Sequence, residues 1–141
     1  MENKQKLGAG ILTMSILMLV GTVLGILGTI FTMVVGDSIN AIALESGQID
    51  ASMLPTTGDY IFGLVTTLIS GISVIFILMK NKYGVFAFFG LFVLTMVYNL
   101  IVSGIAGMAI ISFVLNIAFT ALYGYFIYRK RALFGFAQET V

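Results

Sequence analysis

Cysteine, histidine and tryptophan are absent from this sequence, and proline occurs once, at Pro55. Without cysteine there is no disulfide, thiolate metal site or palmitoylation site. Without histidine there is neither an imidazole ligand nor the side chain that ordinarily titrates near neutral pH. Charge is scarce as well. Lysine, arginine, aspartate and glutamate together make up 9% of the 141 residues, against about 25% in a soluble domain. The net charge of +1 is too small to steer a polyanion, so nucleic acid is not an expected partner. What fills the chain instead is apolar side chain, at 60%. A ~150-residue domain still exposes roughly 30% of its unfolded-chain surface, and a water-soluble core of this size cannot hide that much. The composition therefore predicts an all-α integral membrane protein with the lipid bilayer as its first partner.

The thirteen charges are confined to a few places. Leu7–Gly36 is uncharged over thirty residues, Tyr60–Met79 over twenty and Tyr83–Tyr128 over forty-six. A hydrocarbon core of ~30 Å needs about 20 helical residues. The first two runs suit one span each and the third suits two, broken near Ser103-Gly104-Ile105-Ala106-Gly107, where two glycines lower helix propensity. The expected helices are 8–35, 60–80, 83–103 and 106–128, in one antiparallel four-helix domain with an external loop at 36–59 and a tail at 129–141. Four spans put all seven lysines and arginines on one side: Lys4 and Lys6, the Lys80-Asn81-Lys82 turn, and Arg129-Lys130-Arg131. The external loop then holds Asp37, Glu45, Asp50 and Asp59 and no basic residue. This is the positive-inside pattern with both termini cytoplasmic. Tyr60, Tyr83, Tyr123, Tyr125 and Tyr128 fall near span ends, where aromatic belts form. The first apolar run is too long for a cleaved leader, whose apolar region is about 7–15 residues, so a retained helix is expected.

The external loop has apolar spacing at Ile39, Ile42, Ala43 and Leu44 that suits a continued first helix or a segment lying on the membrane surface. Pro55 with Thr56, Thr57 and Gly58 reads as a turn before the second helix. The acids are too dispersed to converge on a cation, so no metal site is expected. After the fourth helix, Arg129-Lys130-Arg131 precedes Phe134 and Phe136. That arrangement reads as a stop-transfer anchor, with contact to anionic headgroups as the alternative.

In lipid, apolar side chains gain little by preferring one another to acyl tails. Helices associate through small residues and buried hydrogen bonds. Candidate packing positions are Gly21, Gly25 and Gly28 on the first helix, Gly63, Thr67 and Gly71 on the second, and Gly124 on the fourth. Each set follows three- or four-residue steps and so shares a face. Gly21 and Gly25 form a GxxxG match, read as a contact within the chain or between two copies. A polar stripe runs through Thr95 and Asn99 on the third helix and Ser112, Asn116 and Thr120 on the fourth. A short connection makes these helices antiparallel neighbours, which would set Asn99 level with Ser112 and Thr95 level with Asn116.

Reactive groups are missing from the apolar runs. Ion-coupled transporters ordinarily keep an ionisable Asp, Glu, Lys, Arg or His inside the membrane, and none lies inside an expected span, Lys80 standing at the very end of the second. Small multidrug exporters of four helices are similar in length and topology. That family depends on a glutamate in the first helix, and Leu7–Val35 has none. No phosphate-binding loop is present. The expectation is a non-enzymatic protein without a cofactor. It would act through helix–helix association, as an accessory or regulatory subunit or a homo-oligomer in a cell membrane, with a bacterial cytoplasmic membrane the best fit. The alternative is a passive pore, holin-like protein or transporter subunit using the polar stripe. A third reading is an immunity-type protein acting through the acidic loop.

Overall fold

In the computed structural model, residues 6–47, 54–103 and 110–136 are described, with residues 103, 110 and 112 by backbone alone. The expected break at 104–107, Lys4, Asp50 and the tail beyond 136 lie outside the described residues. Four helices follow in order: α1 (Ala9–Glu45), α2 (Thr57–Leu78), α3 (Lys82–Ser103) and α4 (Ile110–Arg129), then a short 3-10 helix at Arg131–Phe134. Among the described residues there is no strand. Among the described residues three segments are long and apolar enough to cross a membrane: α1, α2 and Lys82–Val102 of α3.

α1 continues to Glu45 instead of stopping at 35. Asp37 and Asn40 mark where hydrocarbon compatibility ends, but neither breaks an i to i−4 ladder. The helix stops only where Gly47 turns to φ 67° and its N–H bonds the Leu44 carbonyl at 3.1 Å. At 1.5 Å per residue, α1 is about 55 Å long, well beyond a ~30 Å core. The segment 37–45 is therefore helix, and the loop between α1 and α2 is shorter than 36–59. α2 begins at Thr57, earlier than the expected 60, because Thr56 and Asp59 form a capping box. Asp59 Oδ2 accepts from both the Thr56 backbone N–H and the Thr56 hydroxyl at 2.7 Å, and that hydroxyl accepts from the Asp59 N–H at 3.3 Å.

The α2–α3 connection is three residues, Met79-Lys80-Asn81. The Asn81 N–H reaches the Phe76 carbonyl and the Lys80 N–H the Ile77 carbonyl, both at 2.9 Å. This is a Schellman closure, with Lys80 at φ 60° where glycine usually sits. Asn81 Oδ1 then caps α3 by accepting the Tyr83 N–H at 2.9 Å.

The buried core lies at one pole of the molecule. Ile11 and Met14 from the start of α1 meet Val74 and Ile77 from the end of α2, Val85 and Phe88 from the start of α3, and Tyr123 and Ile127 from the end of α4. Successive helices thus run in alternating directions. Phe134 of the 3-10 helix is 3% exposed and joins this core, so the segment after α4 folds back under the helices instead of trailing away. The described basic residues, Lys6, Lys80, Lys82, Arg129, Lys130 and Arg131, all flank the helix ends that meet here. Asp37, Glu45 and Asp59 sit towards the opposite ends.

Candidate functional site

Beyond the core pole the helices leave an open cavity of about 460 Å³, to which all four contribute. Met18, Gly21, Thr22 and Gly25 come from α1, and Thr66, Thr67 and Ser70 from α2. α3 supplies Phe88, Leu91, Phe92 and Thr95, and α4 supplies Asn116. Most of this lining is glycine, hydroxyl or amide, and none of it is ionisable. The described lining offers hydrogen bonds and close backbone approach.

Its α1–α2 wall is closed by complementary pairs. A Cβ added at Gly25 would lie 3.5 Å from Thr67 Cγ2, and one added at Gly71 would lie 2.8 Å from Thr22 Cγ2. The glycine of one helix receives the threonine of the other, twice. Gly124 is similarly covered, by the Phe89 ring edge at 3.1 Å. Gly21, Gly28 and Gly63 face open space, with nothing within 4 Å. Thr22 does not stand out in the sequence, although it sits three residues before Gly25.

Threonine and serine satisfy themselves on their own helices. Thr22 donates to the Met18 carbonyl at 2.9 Å and Thr66 to the Phe62 carbonyl at 2.8 Å. Thr29, Thr32 and Ser73 bond back by one turn in the same way. An amide reaches its own backbone less readily, so the asparagines are the informative residues. Thr95 and Asn116 line the same cavity. Asn99 is exposed, Thr120 is buried at 6%, and the Ser112 side chain lies outside the described residues. Among the described residues no hydrogen bond ties the Asn99 or Asn116 amide to the rest of the chain.

Two tertiary hydrogen bonds are not legible in the sequence. Ser15 Oγ and the Tyr123 hydroxyl are 2.7 Å apart in the buried core, joining α1 to α4. Tyr123 is fully buried, unlike Tyr83, Tyr125 and Tyr128, so it is a core residue and not part of a belt. The Tyr98 hydroxyl donates to Asp59 Oδ1 at 2.7 Å, and the Tyr98 ring stacks on Phe62 with centroids 3.9 Å apart. The only signals for them are a lone serine in the apolar stretch before Gly21 and a tyrosine hydroxyl deep in an uncharged run. Each needs a partner when buried.

The capping box and the Tyr98 bond share one carboxylate, which orders the expected effects of substitution. Thr56→Ala removes the cap hydroxyl and costs about 1 kcal/mol of helix stability. Asp59→Ala removes the capping carboxylate and the partner of Tyr98 together, so it lowers the melting temperature in detergent more than Thr56→Ala does. Tyr98→Phe keeps the Phe62 stack and is the mildest. Equal melting temperatures for Asp59→Ala and wild type would contradict this arrangement.

No protein-family model matches the chain, and neither the curated proteins nor the solved structures provide a match.

Proposed function

We propose that this chain crosses the membrane four times with both termini in the cytoplasm. On this reading it works without catalysis, as an accessory or oligomeric subunit that receives a partner helix against its open cavity. The observation that carries the reading is Asn116, which lines the open cavity and whose amide has no hydrogen-bond partner among the described residues. In hydrocarbon a polar group without a hydrogen-bond partner is costly, and interhelical bonds of asparagine are a recognised means of association. The open faces at Gly21, Gly28 and Gly63 supply the close approach that such a contact needs. Four spans are supported by the 20-residue length of α4, which is about 30 Å. The orientation is supported by the gathering of basic residues at the core pole. We place the protein in a cell membrane, and the short α2–α3 connection suits a bacterial cytoplasmic membrane.

A second reading has its own observation. Thr95 and Asn116 line one cavity with the hydroxyls of α1 and α2, which suits a passive path for a small uncharged solute.

A single-cysteine panel separates these readings, because the native chain has no cysteine to remove. Cysteines at Gly21 and Gly28 are expected to cross-link to a second copy or to another membrane protein in native membranes. Recovery of monomer alone would overturn association. Cysteines at Thr95 and Asn116 that react with a membrane-impermeant thiol reagent would favour the solute path, and silence there removes it. Cysteines at Ser46 and Asn81 should label from opposite faces, and labelling from one face would overturn the topology.

A further inference from the structure

A second pocket, of about 400 Å³, lies between the first turns of α3 and the last turns of α4. Its walls are Val85, Phe89, Ile127 and Phe136, with Tyr128 and Arg131 among its lining residues. Gly124 lets the Phe89 ring lie against α4 as one wall of it, since an added Cβ there would lie only 3.1 Å from that ring. Phe136 is held in place edge-on against Phe86, with centroids 5.5 Å apart. Arg131 is positioned by donating one N–H to the Tyr128 hydroxyl at 3.1 Å and by lying 5.0 Å from that ring's centroid. A guanidinium has five N–H donors in a fork that fits a phosphate, and among the described residues this one spends a single donor inside the chain.

We propose that this pocket binds an anionic phospholipid, with the phosphate on Arg131 and one acyl chain between Phe89, Ile127 and Phe136. The recognition chemistry has two parts. An apolar slot lies at a helix end, the depth at which acyl chains begin, and a guanidinium with donors directed away from Tyr128 stands beside it. Lys82 and Lys130 flank the same helix ends and add to the positive field. Basic pockets between transmembrane helices at the cytoplasmic face are established headgroup sites. The inference rests on the membrane-spanning part of the proposed function, and not on association or on a solute path.

The test uses the full chain purified in detergent. Phosphatidylglycerol, phosphatidylcholine and inorganic phosphate are each added, and retained lipid is counted by native mass spectrometry. Melting temperature is the second readout. Phosphatidylglycerol is expected to remain bound and to raise the melting temperature, while phosphatidylcholine binds more weakly and phosphate alone not at all. Arg131→Gln, an exposed position, should lower phosphatidylglycerol retention roughly tenfold. Gly124→Leu should drive the Phe89 ring into the slot and lower retention of both lipids. Should Gly124→Leu fail to fold, Arg131→Gln still decides the matter. Equal retention of the two lipids, equal retention of phosphate alone, or wild-type binding by Arg131→Gln would overturn the proposal. Failure of cross-linking or of sidedness labelling would leave these retention measurements unchanged, so the two readings fail separately.

Discussion

Gly84→Ala is expected to destabilise the protein by about 1–3 kcal/mol, the usual cost of overpacking a closely fitted site. At Gly84 an added Cβ would lie 2.7 Å from the Ser73 carbonyl oxygen and 2.8 Å from the Ile77 nitrogen. It would also lie 2.6 Å from the Phe76 Cβ. These are backbone atoms and a Cβ, so no flexible side chain can swing aside. The clash sits two residues into α3, just after the tight Met79-Lys80-Asn81 turn, where the two helices are least free to separate. Ordinarily alanine stabilises a helix relative to glycine by roughly 0.5–1 kcal/mol, so the sign of the effect is diagnostic. Gly90→Ala provides the comparison, since nothing lies within 4 Å of a Cβ there. It should be neutral or mildly stabilising. Unfolding followed by circular dichroism in mixed micelles would measure both. A Gly84→Ala variant as stable as Gly90→Ala would show that α2 and α3 are not packed as described.

Tyr123 is the position of the second large effect. Its side chain is 0% exposed, its ring meets Phe88 edge-on at 5.3 Å, and its hydroxyl bonds Ser15 at 2.7 Å. In lipid the transfer part of a truncation drops out, because acyl tails are as apolar as the core. The packing part remains. A void of roughly 100 Å³ at about 24 cal/mol per Å³ costs about 2 kcal/mol, so Tyr123→Ala should lose that much plus the hydrogen bond. Tyr123→Phe keeps the ring and strands the buried Ser15 hydroxyl, at about 1 kcal/mol. Because the two hydroxyls form one interaction, Ser15→Ala with Tyr123→Phe should cost less than the sum of the single changes. Strict additivity in that double-mutant cycle would mean that α1 and α4 are not joined here. The same cycle reports whether α4 is docked at all, since the Ser15–Tyr123 hydrogen bond links it to α1.

Much of the architecture is legible in the apolar runs. Every described helix lies largely within one of them, and α3 starts within one residue of the expected position. The largest differences fall at α1 and α2, and they share a cause. The expected helix ends follow the charged residues, whereas Asp37 lies inside one helix and Asp59 initiates another. A charge reports the limit of hydrocarbon. A helix end is set by caps and by left-handed residues such as Gly47. The tail shows a similar lesson. Phe134 lies next to a basic cluster in sequence, but only its burial at the end of the 3-10 helix shows that it returns to the core.

The candidate packing residues divide along another line. Gly21, Gly25 and Gly28 are equivalent in sequence, yet among the described residues only Gly25 meets another helix. Asn99 and Asn116 are alike in chemistry, yet only Asn116 reaches the cavity. Which segments are apolar helices, and where the charges gather, follows from the order of amino acids itself, because the exclusion of ionised side chains from hydrocarbon acts on local runs of residues. Which faces of those helices touch is a property of the folded bundle. Rotation of a helix about its axis is set by all its neighbours at once. Where lipid and core are equally apolar, no difference in hydropathy marks one face from another.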